Sequence, residues 1–321
     1  MRLEVTSGQG VHFHEAAVYG SDEEFLSVLI PFLRRGIDAG EPTIACLPPA
    51  KARLLRRAFV DAGSVTFLDT ATVYANPATA VKHYRDVVSH HTQRGARQVH
   101  LVGELDNPGH VTPWGPWARY EAAVNHLFDD LPLWSLCTYD ARTTPRPVLD
   151  DVLRTHPWLA LPGGNHTSST AFTDPLVFLE THVPDPTEVA LPHCAPTVEL
   201  RTPHPEQARD AAHRVGEQAG LGEARIGELV LAVSESVTNA VHHGQPPVWL
   251  RLWAEPHRVV TTVTDAGDGP DDPLAGLAPA QRSRADGGLG LWIVHQVCDY
   301  VTMHRHEDGH TVVLVVGARS K

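Results

Sequence analysis

The stretch EARIGELVLAVSESVTNAVHHG, residues 223–244, decides how the chain is read. Ile226, Leu229, Val230, Val233, Val237 and Val241 recur at spacings of three and four, the apolar stripe of a helix predicted over 223–243, and Gly244 stands as its stop. Glu235 and Asn239 fall on the opposite side, four residues apart, so both side chains project from one face a turn from each other. A carboxylate and an amide so placed can serve a proton and a hard, oxygen-seeking cation such as magnesium. The plainer reading of the spacing alone is a solvated helix face.

Two later segments change that balance. A strand predicted over 259–264 runs into Asp265-Ala266-Gly267-Asp268-Gly269, an acid at a strand end followed by glycines that permit a tight turn and close ligand approach. About twenty residues on, Gly287-Gly288-Leu289-Gly290-Leu291 opens a helix predicted over 289–298, whose free N–H groups and positive dipole end suit phosphate. Around these lie strand patterns at 197–201, 248–254, 300–306 and 311–316, the last two joined by an Asp308-Gly309 hairpin signal, and a helical pattern at 205–219. The expected architecture is α+β, helices on one face of a mixed, mostly antiparallel sheet.

In this order and spacing the three segments resemble the Bergerat (GHKL, HATPase_c) ATP-binding fold shared by gyrase and histidine kinases. More narrowly, Val233-Ser234-Glu235-Ser236-Val237-Thr238-Asn239-Ala240-Val241-His242-His243-Gly244 is similar to the helix box of the anti-sigma factor serine/threonine kinases, and Gly288 to Leu291 to their second glycine box. The resemblance implies that Asn239 coordinates magnesium bridging the ATP phosphates and that Asp265 accepts a hydrogen bond from the adenine amino group. Gly267 and Gly269 would let the backbone pass the base, and Gly288, Leu289, Gly290 and Leu291 would hold the triphosphate. His243 would end the helix near the phosphates. Residues 270–286 would form a lid, with Arg282 and Arg284 as candidate phosphate contacts or plain solvated loop residues. Glu235 would be the general base for a serine or threonine hydroxyl of a protein substrate. The implied partners are a sigma factor, an anti-anti-sigma protein, or both, and a homodimer is implied as well. No Walker P-loop pattern occurs in the chain.

Toward the N-terminus the period changes. Strand-like segments at 43–47, 64–68, 98–102 and 133–138 alternate with helical patterns at 21–37, 51–62, 77–94 and 117–128, which predicts an α/β unit with a mostly parallel, RecA/Rossmann-like sheet covered on both faces. Ser21 and Glu24 form a capping-box signature for the first helix. Sites in such sheets lie at strand carboxyl ends, here near Pro48, Asp69, Glu104, Asp106 and Asp140. The opening His14-Glu15-Ala16-Ala17-Val18-Tyr19, with the following helix and strand, resembles the MEDS sensory domain over roughly residues 10–159. The family motif is His-x-Cys-x-x-Tyr, proposed to engage small organic ligands. His14 and Tyr19 match it and Ala16 replaces the cysteine, so chemistry relying on that thiol is not expected. The alternative for His14 and Tyr19 is packing at the start of the sheet.

The boundaries implied are a sensory domain at 1–160, a Pro-rich connector at 161–196 with a short helix at 174–182, and an ATP-binding domain at 197–321. A formal net charge of −12 argues against a broad nucleic-acid footprint. No apolar run approaches the roughly 20 residues of a membrane span, and with no signal-peptide pattern the expectation is cytoplasmic. The four cysteines are far apart, and the 21 histidines, scattered through the chain, form no His-Glu-x-x-His spacing. The Pro-rich stretch cannot supply the dimerising helical hairpin of a full histidine kinase. Three functions follow in order: a sensor-controlled Mg-ATP-dependent protein kinase or sequestering factor, an ATP-dependent binding switch without kinase activity, and an orphan histidine-kinase-like protein.

Overall fold

The computed structural model describes residues 12–110, 113–182, 191–278 and 289–317. The chain forms two compact units. The first contains β1 (Phe13–Tyr19), α1 (Asp22–Asp38), β2 (Thr43–Cys46), α2 (Pro49–Ala58), β3 (Thr66–Phe67), α3 (Thr70–Val73), α4 (Pro77–Thr92), β4 (Val99–Gly103), α5 (Trp114–Leu127), β5 (Leu133–Asp140), α6 (Arg146–Thr155), β6 (Trp158–Leu161), β7 (Asn165–Ser168) and α7 (Pro175–Thr181).

Ser21 caps α1 as its sequence predicts, its hydroxyl accepting the Glu24 N–H at 3.1 Å. The Glu24 carboxylate reaches back to the Gly20 N–H at 2.8 Å, so the box closes one residue upstream of the usual Ser21 amide. Phe25, Leu29 and Leu33 then recur on the face that packs on Leu55, Val102 and Leu136. The sheet order is β3-β2-β4-β5-β1-β6-β7, parallel throughout except for β7, which runs antiparallel to β6. β1 thus lies inside the sheet, hydrogen-bonded to β5 on one edge and β6 on the other. The stretch read as the start of the connector is ordered otherwise. β6 and β7 pair as a hairpin on this sheet, and α7, capped by Asp174, packs on α5.

The second unit contains β8 (Val198–Arg201), α8 (Pro205–Gln218), α9 (Glu223–His242), β9 (Trp249–Glu255), β10 (Arg258–Asp265), α10 (Gly290–Val297), β11 (Tyr300–His306) and β12 (Gly309–Val316). Its sheet, β11-β12-β10-β9-β8, is antiparallel at every described pairing, in line with the mostly antiparallel sheet the sequence predicts. Leu229, Val233 and Val237 of α9 bury against Leu250, Leu252, Val259 and Val263, each side chain worth about 1.5–3 kcal/mol. Ala208, Ala211 and Ala212 keep α8 close to the same core. The apolar stripe stops at Val237, because Val241 in the last turn is 47% exposed. Ser236 and Ala240 take the buried positions beside it.

Candidate functional site

In the second unit, the C-terminal half of α9, the end of β10 and the start of α10 enclose a cavity of about 430 Å³. Asn239, His243, Asp265, Gly269, Gly290 and Leu291 line it. Asp265 ends β10 and is buried. Its Oδ1 accepts the N–H groups of Gln245 at 3.1 Å and Gly267 at 2.7 Å, so Gly267 serves the site by orienting the carboxylate rather than by lining the cavity. Among the described residues Oδ2 has no protein donor.

Glu235 and Asn239 meet α10 at Gly290. A Cβ there would stand 2.8 Å from Glu235 Oε2 and 3.0 Å from Asn239 Nδ2, so any side chain at this position would push both groups aside. Among the described residues no side chain caps α10, and its first residues, Gly290 and Leu291, line the cavity. The side chains of Glu235 and Asn239 are half-buried and make no hydrogen bond to the described protein. Glu235 does not itself line the cavity. Leu289 is the N-cap of α10 and is 46% exposed, away from the lining. Gly288, Arg282 and Arg284 lie outside the described residues, as does the latter part of the expected lid; its first part, with Pro270, Asp271, Asp272 and Gly276, lines the cavity.

Two lining residues escaped sequence reasoning. Ser236 is 2% exposed, and its hydroxyl has no partner among the described residues. Its spacing to Ala240 and His243, four and then three, places all three on one face, a signal present in the sequence. His310 lies opposite Asp265 in the β10–β12 register, beneath Gly269. Gly269 has a φ of +76° and would drive a Cβ into the His310 ring. Burial lowers the His310 imidazole below its ordinary range. Only the register reveals that position.

In the first unit, Tyr19, Glu104 and Thr138 converge at the strand carboxyl ends. The Tyr19 hydroxyl donates to Glu104 at 3.0 Å and the Thr138 hydroxyl at 2.7 Å. Burial nevertheless raises Glu104 to about 7. An adjoining cavity of about 150 Å³ is lined by Lys51, Glu104, Asp106, Asp140 and Thr144. Hydrogen bonds from Arg142 hold Asp140 down at about 2, and Lys51 lies 3.3 Å from it. Asp69 caps α3, bonding Thr72, and is absent from this cavity lining.

His14 does not join this group. Five residues along a strand is an odd step, so His14 and Tyr19 point to opposite faces of β1. His14 instead meets Asn125 at 3.1 Å and Glu121 at 3.4 Å, and burial lowers its imidazole. Ala16 pairs in register with Cys137 of β5, so a thiol stands on the neighbouring strand beside the place where the motif has cysteine.

Residues 13–157 match the MEDS family, described as the methanogen/methylotroph, DcmR sensory domain, and residues 198–316 match the histidine kinase-like ATPase domain. The transcriptional repressor DcmR of Methylorubrum extorquens is 27% identical over 158 residues, 45% of this chain; the matched part spans 58% of that protein. Among solved structures, the RsbU and RsbW domains of a Mycobacterium tuberculosis protein overlap with 20% identity and a TM-score of 0.26, over 39% of this chain and 34% of that one. The histidine kinase domain of the Escherichia coli osmosensor EnvZ overlaps with 17% identity and a TM-score of 0.24, over 41% and 94%. No described helix is long and apolar enough to cross a membrane. The chain therefore joins a MEDS sensory domain at residues 13–157 to a histidine kinase-like ATPase domain at residues 198–316.

Proposed function

We infer that the ATPase domain binds Mg-ATP and phosphorylates a serine or threonine of an anti-anti-sigma-type partner, sequesters a sigma factor, or does both, under control of the sensory domain. The observation that carries this reading is the convergence of Glu235 and Asn239 on Gly290, beside a cavity that ends at Asp265. A volume of about 430 Å³ lies in the range of small-molecule sites. The unclaimed Asn239 amide, the orphaned Ser236 hydroxyl and the uncapped start of α10 form a donor set suited to a metal-bound polyphosphate.

ATP, when bound, supplies the phosphoryl group. Asn239 would hold the magnesium, and Asp265 Oδ2 would accept the adenine amino hydrogen. The N–H groups at Gly290 and Leu291 would steady the phosphates. Glu235, committed to no other group, would take the proton of the partner's hydroxyl. In the sensory domain, the cavity lined by Lys51, Glu104, Thr138 and Asp140, with Tyr19 behind Glu104, is the place for a small organic signal, since ligands of parallel sheets sit at strand carboxyl ends. That Glu235 stands outside the cavity lining favours, as a second reading, an ATP-dependent binding switch without phosphoryl transfer.

Calorimetric titration of Mg-ATP into the full chain tests the binding step. One saturable site, lost in both Asn239→Ala and Asp265→Asn, supports it; no binding by folded wild type overturns it. Phosphate transfer to a candidate partner that is acid-stable and vanishes in Glu235→Ala, with ATP binding kept, supports the kinase. Binding without transfer, partner present, supports the switch.

A further inference from the structure

The buried side of the sensory domain opposite the Glu104 cavity holds four chemically distinct ligand atoms in one place. His14 of β1, Glu121 of α5, Cys137 of β5 and His156, just beyond α6, each offer one, and these atoms lie within 4.8 Å of one another. His14, Glu121 and His156 are 2%, 3% and 0% exposed. The two imidazole Nε2 atoms each stand 3.4 Å from Glu121 Oε2. Cys137 Sγ stands 3.6 Å from His14 Nε2 and 3.7 Å from Glu121 Oε2.

The surrounding hydrogen bonds fix what those atoms carry. The Asn125 amide nitrogen donates to the carbonyls of Glu121, Ala122 and Thr155 at 3.0, 3.1 and 2.9 Å, so its oxygen is the atom facing His14 Nδ1. His14 Nδ1 must therefore be the N–H. His156 Nδ1 lies 2.9 Å from the Val152 carbonyl, which can only accept, so it too is the N–H. When the rings are neutral, the form a metal ion requires, the lone pair is on Nε2, turned toward a carboxylate oxygen. His156 Nε2 has no hydrogen-bond partner. Glu121 Oε1 is engaged by the Tyr139 hydroxyl at 2.8 Å, which leaves Oε2 to the cluster. Two lone pairs and a carboxylate oxygen facing one another in a dry interior repel, and the single S–H of Cys137 cannot serve them all.

We propose that His14, Glu121, Cys137 and His156 form a binding site for a divalent first-row transition ion of borderline softness, zinc foremost. Tetrahedral bonds of about 2.0–2.1 Å to nitrogen and oxygen and about 2.3 Å to sulfur place neighbouring ligand atoms about 3.3–3.6 Å apart; four of the six pairs, at 3.4, 3.4, 3.6 and 3.7 Å, are at or within about 0.1 Å of that spacing, and all six lie within 4.8 Å. Each histidine gives its Nδ1–H to an amide or backbone carbonyl, the arrangement that orients a metal-bound imidazole. Binding sends the Cys137 thiol proton to solvent. Thiolate, carboxylate and a dipositive ion then sum to zero charge, the condition for stability in a buried site. The ion ties together β1, α5, β5 and the end of α6.

The test uses the full chain, stripped with chelator, dialysed against zinc chloride, desalted and analysed for metal. The expected result is one zinc per chain. Cobalt in its place should give a thiolate charge-transfer band that Cys137→Ser abolishes. His156→Gln should weaken zinc binding by roughly 100-fold or more, and Asn125→Ala, which only orients His14, by about 10–100-fold. Circular dichroism confirms that each protein is folded. Retention of the ion at equal affinity by folded His156→Gln and Cys137→Ser would assign it to surface histidines and overturn the proposal. Failure of folded wild type to hold zinc would overturn it as well.

Discussion

Glu104 makes the stability of the sensory domain depend on pH in a direction opposite to that of most carboxylates. The group is 7% exposed, and burial outweighs the hydrogen bonds from Thr138 and Tyr19, raising it from an ordinary 4.5 to about 7. A carboxyl raised on folding binds its proton more tightly in the folded chain. Its favourable contribution is complete below about pH 4.5, declines as pH rises, and is gone above about 7. Raising the carboxyl from 4.5 to about 7 corresponds to roughly 3–4 kcal/mol in all, at about 1.4 kcal/mol for each tenfold change in proton affinity. Glu104→Gln keeps the shape and cannot ionise. Urea unfolding of wild type and variant, measured between pH 4.5 and 8, should show the variant gaining up to about 3 kcal/mol on the wild type across that window. Other carboxyls titrate alike in both proteins and cancel in the difference. A difference that stays flat with pH would refute the claim that Glu104 is charged at a cost in the folded domain.

Gly290→Ala should leave the fold as stable as wild type or up to about 1 kcal/mol more stable, since alanine favours a helix. It should lower Mg-ATP affinity at least tenfold in calorimetry, because its methyl group would displace Glu235 and Asn239. Ser236→Ala should cost less than about 0.5 kcal/mol in thermal unfolding, its hydroxyl having no partner among the described residues, and should weaken nucleotide binding by about five- to tenfold. Ser21→Ala should destabilise the sensory domain by about 1 kcal/mol in denaturant unfolding through loss of the α1 cap.

The ATPase domain was readable because its determinants are local. Glu235 and Asn239 sit on one helix with His243 at its C-cap, where a period of 3.6 assigns them a face, and the acid of β10 is followed at once by its glycine turn. What the sequence obscured depends on pairing between distant segments. β7, Asn165–Ser168, is short and polar and follows Pro162, Gly163 and Gly164, so its composition reads as linker, and only its antiparallel register with β6 makes it a strand. The sequence predicts a mostly antiparallel second sheet; the order in which its strands pair is a property of topology rather than of any one strand. His14 and Tyr19 belong to one short motif, yet the pleat sends them to different carboxylates. The His14–Cys137 proximity spans 123 residues of sequence, and no spacing rule reaches that far.

The two backbone N–H groups that hold Asp265 Oδ1 also bear on which purine the ATPase domain would prefer. With one oxygen committed, the carboxylate cannot turn, and its remaining lone pairs face the base edge as fixed acceptors. Under the nucleotide reading, adenine presents an amino donor there and guanine a carbonyl. The guanine edge would leave two acceptors opposed in a buried place, a mismatch worth about 1–3 kcal/mol, or roughly five- to 150-fold in affinity. Discrimination between ATP and GTP would then originate in a pair of main-chain amides that never touch the nucleotide.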